Sequence, residues 1–457
     1  MIPSQPQPAG LPSGTIGGRR ARSGAQGWQF RRLLAAPARL TMAAATLLLA
    51  VLAVWWGLAL LAQAYSLALP WAVEPAAAHA LAGTFGALPL FLAGVAFSVV
   101  PRWLAVPAVS ARSLLLPVLA LLAGWALALV GFHVHRALAA AGLCVVALGL
   151  ALLAGRQAVL LLESRQPDRD HARLLLLGQG VMAVSLWAAA IFLALGHDTL
   201  VRACAPVALW AGLGLAMVAV LHRSLPAFSG LLLPAMGVWR SRMLLGVLAA
   251  LVAWQAPFAA AQVLGGGALA GGAAVLAAGP SLAGGLLLMW LSLRWGLRVS
   301  LRRSAPGVDA EGRAVTVPRS ALRLLAMLHV ALFWLAVAFT LNGVSLTLMA
   351  LTGGQMSLGL APVHAYTLGF LGAGALALAS QQALQLSGRA LRADAWLWVL
   401  CGVVQVGVSC QVLAGLFPAA ATPLTLLAAQ FFVVAALTWG VRHGPWMGRL
   451  RVDGGAG

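Results

Sequence analysis

Residues 76–107 read AAAHALAGTFGALPLFLAGVAFSVVPRWLAVP. The run is apolar, long enough at 1.5 Å per residue to cross a bilayer, and free of carboxylates. It opens on one histidine, His79, and closes on Pro101-Arg102-Trp103. Residues 362–389, PVHAYTLGFLGAGALALASQQALQLSGR, repeat the design with His364 near the start and Arg389 at the end. These two stretches decide the class of the fold, because each places an imidazole and a row of small residues inside a membrane span.

The whole chain agrees with that reading. Its 457 residues are 62% hydrophobic and 8% charged, with a mean hydropathy of +0.96. Soluble domains carry about 25% charged residues. The net charge of +20 comes entirely from arginine, and those arginines sit in short segments between apolar runs. The charge therefore reads as membrane topology, and no nucleic-acid partner is expected. Cys144, Cys204, Cys401 and Cys410 lie in or beside apolar runs without metal or disulfide spacing, and read as small packing residues.

Cutting the chain into apolar stretches of about 20 residues predicts an all-α, polytopic helical bundle with twelve spans. They fall near 41–62, 76–100, 113–132, 137–161, 173–195, 202–221, 243–263, 270–293, 320–341, 360–384, 394–415 and 420–441. With both termini on the cytoplasmic side, every arginine except Arg136 and Arg202 falls inside, as basic residues do in membrane proteins. Trp71 and Trp103 mark span ends. Residues 1–40, with Pro, Gly, Ser, Gln and six arginines, read as a disordered basic cytoplasmic arm. Ala62-Gln63-Ala64 has the form of a signal-peptide cleavage site, but the apolar run before it exceeds the usual 7–15 residues or so, so an uncleaved first span is expected. The twelve spans form one transmembrane domain over residues 41–441, followed by a short cytoplasmic tail, 442–457. Residues 294–319 are polar and basic, and read as a cytoplasmic linker, touching anionic lipid, between the eighth and ninth spans.

Polar residues kept inside hydrocarbon cost free energy, so they advertise a site. Glu74, Glu163, Asp168, Asp170, Asp198, Asp309, Glu311, Asp394 and Asp453 all fall in loops or tails. That pattern argues against a proton- or sodium-coupled carrier. What remains inside is neutral: His79, His329, His364, several glutamines and Asn342. Neutral imidazole is a ligand for haem iron and copper. His79 and His364 both start spans that descend from the outer face, so they are expected at similar depth; His329 falls near the middle of the ninth span. A metal shared by the three, or three separate interhelical hydrogen bonds, both fit the spacing. His133 and His135 read as a surface turn; His171, His197 and His443 as solvated or interfacial; His222 as the cytoplasmic end of the sixth span. None of these takes a role from spacing. Pro89 is expected to bend the second span, and its glycines, with those of the tenth, to admit close neighbours.

The two opening stretches, with HRSLPAF at 222–228 and LLAMLHVALFWL at 324–335, resemble the NnrS family of bacterial inner-membrane proteins. The resemblance runs over residues 70–440 in order. His79, Ala80, Phe85, Gly86, Gly94, Val100, Pro101 and Trp103 fit its second-span motif; Arg223, Pro226 and Phe228 fit a mid-chain motif. Leu328, His329 and Trp334 fit the ninth span, and His364, Ala365, Thr367, Gly369, Gly372, Ser380, Gly388 and Arg389 the tenth. The chain departs where the family pattern has a second histidine (Leu81), a glutamate (Ala82), an asparagine (Arg102), an arginine (Gln381) and a last histidine (Leu386). The resemblance implies a role in the response to nitric oxide and nitrosative stress, with nitric oxide or iron-nitrosyl species as partners. It also implies haem and copper as cofactors, held by His79, His329 and His364, with Gln381 or Tyr366 tuning binding. Arg102, Arg223 and Arg389 end three of the motif helices on the cytoplasmic face and read by default as topology, or else as a cluster that pairs with an anionic cofactor group or ligand. No turnover is implied by the residues. The alternative is a metal-free polytopic carrier or assembly factor, favoured by the lost motif residues.

Overall fold

The computed structural model describes residues 27–232, 241–269, 271–308 and 313–453. Among these, twelve helices are long and apolar enough to cross a membrane. They are α1 Pro37–Ala64, α2 Pro75–Leu104, α3 Ala111–Val134, α4 Arg136–Glu163, α5 Asp170–Leu195, α6 Asp198–Gly230, α7 Arg242–Leu264, α8 Gly271–Arg294, α9 Arg319–Leu351, α10 Ala361–Leu386, α11 Ala395–Leu416 and α12 Pro418–Met447. Each coincides with one predicted stretch. The protein is therefore a multi-pass helical membrane protein. α6 and α9 run further than predicted, because Pro226 lies inside α6 without ending it and α9 continues to Leu351.

Burial ranks the spans. In α2 and α6 78% of the apolar window is buried, against 22% in α12, so α2 and α6, followed by α9 and α10, form the centre. These four carry every motif singled out above. Successive spans pack as antiparallel neighbours, α3 on α4, α8 on α9 and α11 on α12, and α12 closes back on α1. Hydrophobicity gives no stripe on these helices, because lipid and core are both apolar; small residues set the contacts instead.

α2 is broken, though not at the expected residue. Its two parts, Pro75–Phe85 and Ala87–Leu104, meet at Gly86 (φ −76°, ψ −110°). Pro89 sits in the first turn of the second part, where its missing N–H costs nothing. A side chain at 86 would strike Leu52 of α1 and the Ala82 carbonyl, so only glycine lets the break form here.

Three further expectations need correction. The arm does not extend to residue 40: residues 1–26 lie outside the described residues, but Phe30–Ala35 form a 3-10 helix and α1 starts at Pro37. Arg39, counted with the arm, is 1% exposed. Its guanidinium donates to the carbonyls of Met447 (2.8 Å), Arg449 (2.9 Å), Trp446 (3.3 Å) and Leu386 (2.7 Å), capping the ends of α12 and α10 with the charge that helix C-termini favour. The linker 294–319 is not a plain loop either. After a turn at Leu297–Ser300 it forms an antiparallel hairpin, β1 Ser304–Val308 and β2 Ala314–Pro318, in which the cross-strand pair Ala305 and Val317 is buried.

Replacing Arg39 by Met should lower stability by about 3 kcal/mol, since four carbonyls lose a charged donor, and Arg39→Lys should restore only part of it. Thermal unfolding in detergent measures both. A second expectation concerns Asp394, which caps α11 by accepting from Leu397 N–H at 2.9 Å and pairs with Arg442. Burial pushes its pKa up, but Arg442 and the Leu397 N–H outweigh that and hold it below the usual carboxylate value. A depressed carboxylate contributes stability above its unfolded pKa of about 4 and loses it as pH falls through the folded value. The melting-temperature difference between the parent and Asp394→Asn should therefore be present at pH 7 and disappear on acidification below about pH 4.

Candidate metal-binding site

His79 lies in the second turn of α2, after Pro75 starts the helix, and His364 lies in the first turn of α10, after Pro362 does the same. Both are at the end of the bundle opposite the arginine-rich one, the end where Arg136 pairs with Asp198 and Arg202 with Glu74. The two histidines are close enough to interact electrostatically, and each is half-buried. The ring of His79 stacks on Trp56 of α1, centroids 4.0 Å apart and nearly parallel at 14°. No hydrogen bond to it is formed among the described residues. His364 Nε2 lies 3.4 Å from the Gln411 amide of α11, while its Nδ1 is buried without a partner. One turn beyond His79, Gly83 faces open space.

The next eight residues of α10, Ala365–Gly372, form a π-helix, and so do Ala208–Gly214 of α6. The two π segments touch. Tyr366 stacks on Trp210 with centroids 3.9 Å apart, and its hydroxyl donates to the Leu209 carbonyl at 2.9 Å. Gly214 makes room, since a Cβ there would collide with the Tyr366 hydroxyl. Long π segments are rare and concentrate at functional sites. Tyr366 is thus a structural bolt between α6 and α10. The expectation that it tunes a bound ligand has no contact to support it.

The other predicted site residues are elsewhere. His329 is fully buried in α9 with each ring nitrogen against a backbone carbonyl, Nδ1 at Leu325 (3.1 Å) and Nε2 at Trp295 (2.9 Å). Trp295 follows α8 at the arginine-rich end, so His329 belongs to that end. Arg223 is there too, 4.7 Å above the Trp103 ring and 3.8 Å from Asp168. Gln381 follows His364 by seventeen residues, about 25 Å along the helix. Among the described residues, no group of three or more His, Cys, Asp or Glu is arranged to hold a metal. The structure thus separates His329 from His79 and His364, and only the last two lie at one end of the bundle.

Three histidines given no place inside the bundle turn out to be buried or bonded. His133 accepts from Trp55 Nε1 at 2.8 Å through Nε2, so its Nδ1–H donates to the Pro70 carbonyl at 2.8 Å. His171 and His443 are 6% and 2% exposed, His443 packing among Trp396, Trp439 and Trp446. For His133 and His171 the rings nearby come from other spans, while Trp439 and Trp446 are at helical spacing from His443 and are a signal in the sequence.

A comparison with known families matches the one described as "NnrS protein" over residues 32–306 and 316–451. The chain belongs to the NnrS family. No curated protein matches it. The motif residues of this NnrS chain have visible work: Trp334 packs against Gly369, where a Cβ would stand 2.6 Å from its ring, and donates to Gln405 of α11 at 2.6 Å. Ser380 accepts from Trp439 Nε1 at 3.0 Å.

For a haem or copper ion the test is the donor set. The two imidazoles come from different spans and interact electrostatically, and Nδ1 of His364 is buried and unpaired, so the donors present are of the kind that haem iron or copper accepts. His329 and Arg223 lie at the other end of the bundle. Deeper in the bundle the spans close, since the apolar space lined by Met42, Phe91, Val95, Met217, Ala375 and Leu378 has room for about a water molecule. Oxygen and nitrogen of an amide are assigned from the network, so Gln411 turned by half a rotation accepts from His364 Nε2–H and leaves Nδ1 as the ligand atom. Gln411→Leu should then lower the affinity of His364 for an imidazole-seeking metal about 10-fold, as loss of a supporting hydrogen bond does. Metal titration of the purified variant checks it.

Proposed function

We propose that this NnrS protein binds haem between His79 and His364 and serves in the bacterial response to nitric oxide, in the inner membrane with both termini in the cytoplasm. The observation that carries the reading is the buried, unpartnered Nδ1 of His364 beside a second imidazole. Buried polar atoms without a partner are rare, and a metal-ligating nitrogen is among the few kinds with a chemical reason to be so. Copper is the second metal that the same two nitrogens accept. Haem bound there supplies an iron centre with affinity for a small diatomic such as nitric oxide.

The residues of the chain do the rest. Trp56 fixes the plane of the His79 ring, and Gln411 sets the tautomer of His364. The Tyr366–Trp210 contact holds α10 against α6 so that His364 cannot withdraw. Glu74, at the start of the helix that carries His79, is paired with Arg202 at 3.3 Å, and the reading is one of binding and sequestration.

Detergent-purified protein should show a Soret band and stoichiometric iron. His79→Ala and His364→Ala should each abolish or shift that band. His329→Ala should leave it unchanged while costing about 1–3 kcal/mol through its unsatisfied carbonyl partners. Absence of both haem and stoichiometric metal from the parent would instead favour a metal-free carrier or assembly factor.

A further inference from the structure

At the arginine-rich end three guanidinium groups are gathered beside one tryptophan. β2 leads straight into α9 at Arg319, and Arg323 follows one turn later on the same face. The loop between α10 and α11 is laid against that turn. The N–H of Ala393, a fully buried residue, donates to the Ser320 carbonyl at 2.8 Å, so the exposed Arg392 stands beside the start of α9. Arg323 lies over Trp398 of α11, its Cζ 5.7 Å from the ring centroid.

The fold supplies no counter-charge for this group. Among the described residues none of the three arginines is paired with a carboxylate, and Asp394, two residues from Arg392, is taken by Arg442 and by the N–H of Leu397. Like charges four residues apart on a helix repel, as Arg319 and Arg323 do. Arg323 Nε is also buried without a hydrogen-bond partner, a rare state for a donor. Cations gathered and left uncompensated call for an anion from outside the chain. The surroundings say which kind: Val399, next to Trp398, is 65% exposed, so this face of α11 looks out to lipid, and indoles collect where the polar and apolar layers of a bilayer meet. A ligand here has guanidinium groups at one end and hydrocarbon at the other, which fits an amphiphile rather than a free ion. Guanidinium binds phosphate through paired N–H donors.

We propose that Arg319, Arg323 and Arg392 hold the headgroup phosphate of an anionic phospholipid whose acyl chains run along Val399 and the start of α11. Trp398 fixes the plane of the Arg323 fork, and Arg319 and Arg392 close on the phosphate from α9 and from the loop. Bound there, the lipid ties the start of α9 to the segment that follows α10.

The test uses the full chain in detergent, supplied with phosphatidylglycerol, phosphatidylcholine or inorganic phosphate and followed by native mass spectrometry and thermal unfolding. One phosphatidylglycerol per chain should be retained after phosphatidylcholine has been stripped, and it should raise the melting temperature where inorganic phosphate does not. Arg323→Gln with Arg392→Gln should weaken that retention about 25-fold, since each arginine near a lipid surface contributes about fivefold. Arg323→Lys, which keeps the charge and loses the fork, should fall between. Arg112→Gln with Arg165→Gln removes the same charge from exposed residues elsewhere at this end and should leave retention unchanged. In lipid-free detergent the Arg323→Gln, Arg392→Gln variant should melt no lower than the parent, because it relieves repulsion. Equal weakening by the two glutamine pairs would show a diffuse field and overturn the site, and equal stabilisation by inorganic phosphate would overturn the lipid. A drop in lipid-free detergent as large as the drop with phosphatidylglycerol would make the arginines structural and overturn both. A failed haem assignment at His79 and His364 leaves these measurements unaffected.

Discussion

Hydrocarbon offers a polar group no partner, so each polar side chain within the spans has to find one on its own helix, as Thr46 and Ser292 do, or on a neighbouring one. The bundle is organised by that constraint. Asn342 of α9 donates to Gln255 of α7 at 3.0 Å and to Ser281 of α8 at 3.2 Å, and Ser281 reaches Gln255 at 3.0 Å, which locks three spans with neutral groups alone. Trp334 reaches Gln405 and Trp439 reaches Ser380, while Arg39, sunk to 1% exposure, is held by four helix-end carbonyls. Against this background the exceptions carry information. Buried atoms left unpaired include His364 Nδ1, Gln430 Nε2 and the amide oxygens of Gln157 and Gln179. Of these, only the imidazole nitrogen is a ligand that transition metals seek.

The placement of that imidazole depends on a departure from the α-helix. His364 stands immediately before a π segment, and every residue added to a turn rotates the helix before it by about 100° relative to the helix after it. A wheel drawn at constant period therefore assigns His364 the wrong face relative to Gly374 or Gln381. The cost of the wider turn is met by specific contacts: the stacked Trp210, the hydroxyl of Tyr366 on the Leu209 carbonyl, and the bare Gly214 that admits it. Position along the chain and orientation at the site are thus set by different residues.

The same division separates the features legible in the sequence from those that are not. The twelve spans follow from length and hydropathy, and their alternation from arginine placement, because the bilayer acts on each span separately. The common depth of His79 and His364 follows from both being near the start of spans running the same way, whereas which spans are neighbours is set by packing that hydropathy does not encode. His329 defeats the same logic: α9 is 33 residues long, so a histidine in its third turn is not at the midplane. Arg39 fails for a different reason, since its neighbours in sequence resemble a solvated arm and its four acceptors come from the far end of the chain. His171 and His443 look interfacial in sequence, but His171 is walled by Trp103 of α2, and His443 packs against Trp396 of α11 as well as Trp439 and Trp446 of its own helix.

The positions at which the sequence departs from the motif it resembles, Leu81 and Ala82, can be weighed by the same geometry. Residues two apart on a helix do not face each other, so a histidine at position 81 and His79 could not ligate one metal. Leu81 is in fact 1% exposed and packs into the core, away from the half-exposed face that carries His79 and Gly83. Its loss leaves the His79 position intact. Ala82 is different: three residues on, it lies on the side of the helix nearer His79, where a carboxylate could hydrogen-bond the imidazole and fix its orientation. Here Ala82 is buried and apolar, and the orienting contact comes from another span, as the parallel stack of Trp56 on the ring. A stacked indole fixes the plane of the imidazole without choosing which nitrogen carries the proton, so in this chain tautomer control rests on the His364 side of the gap, with Gln411.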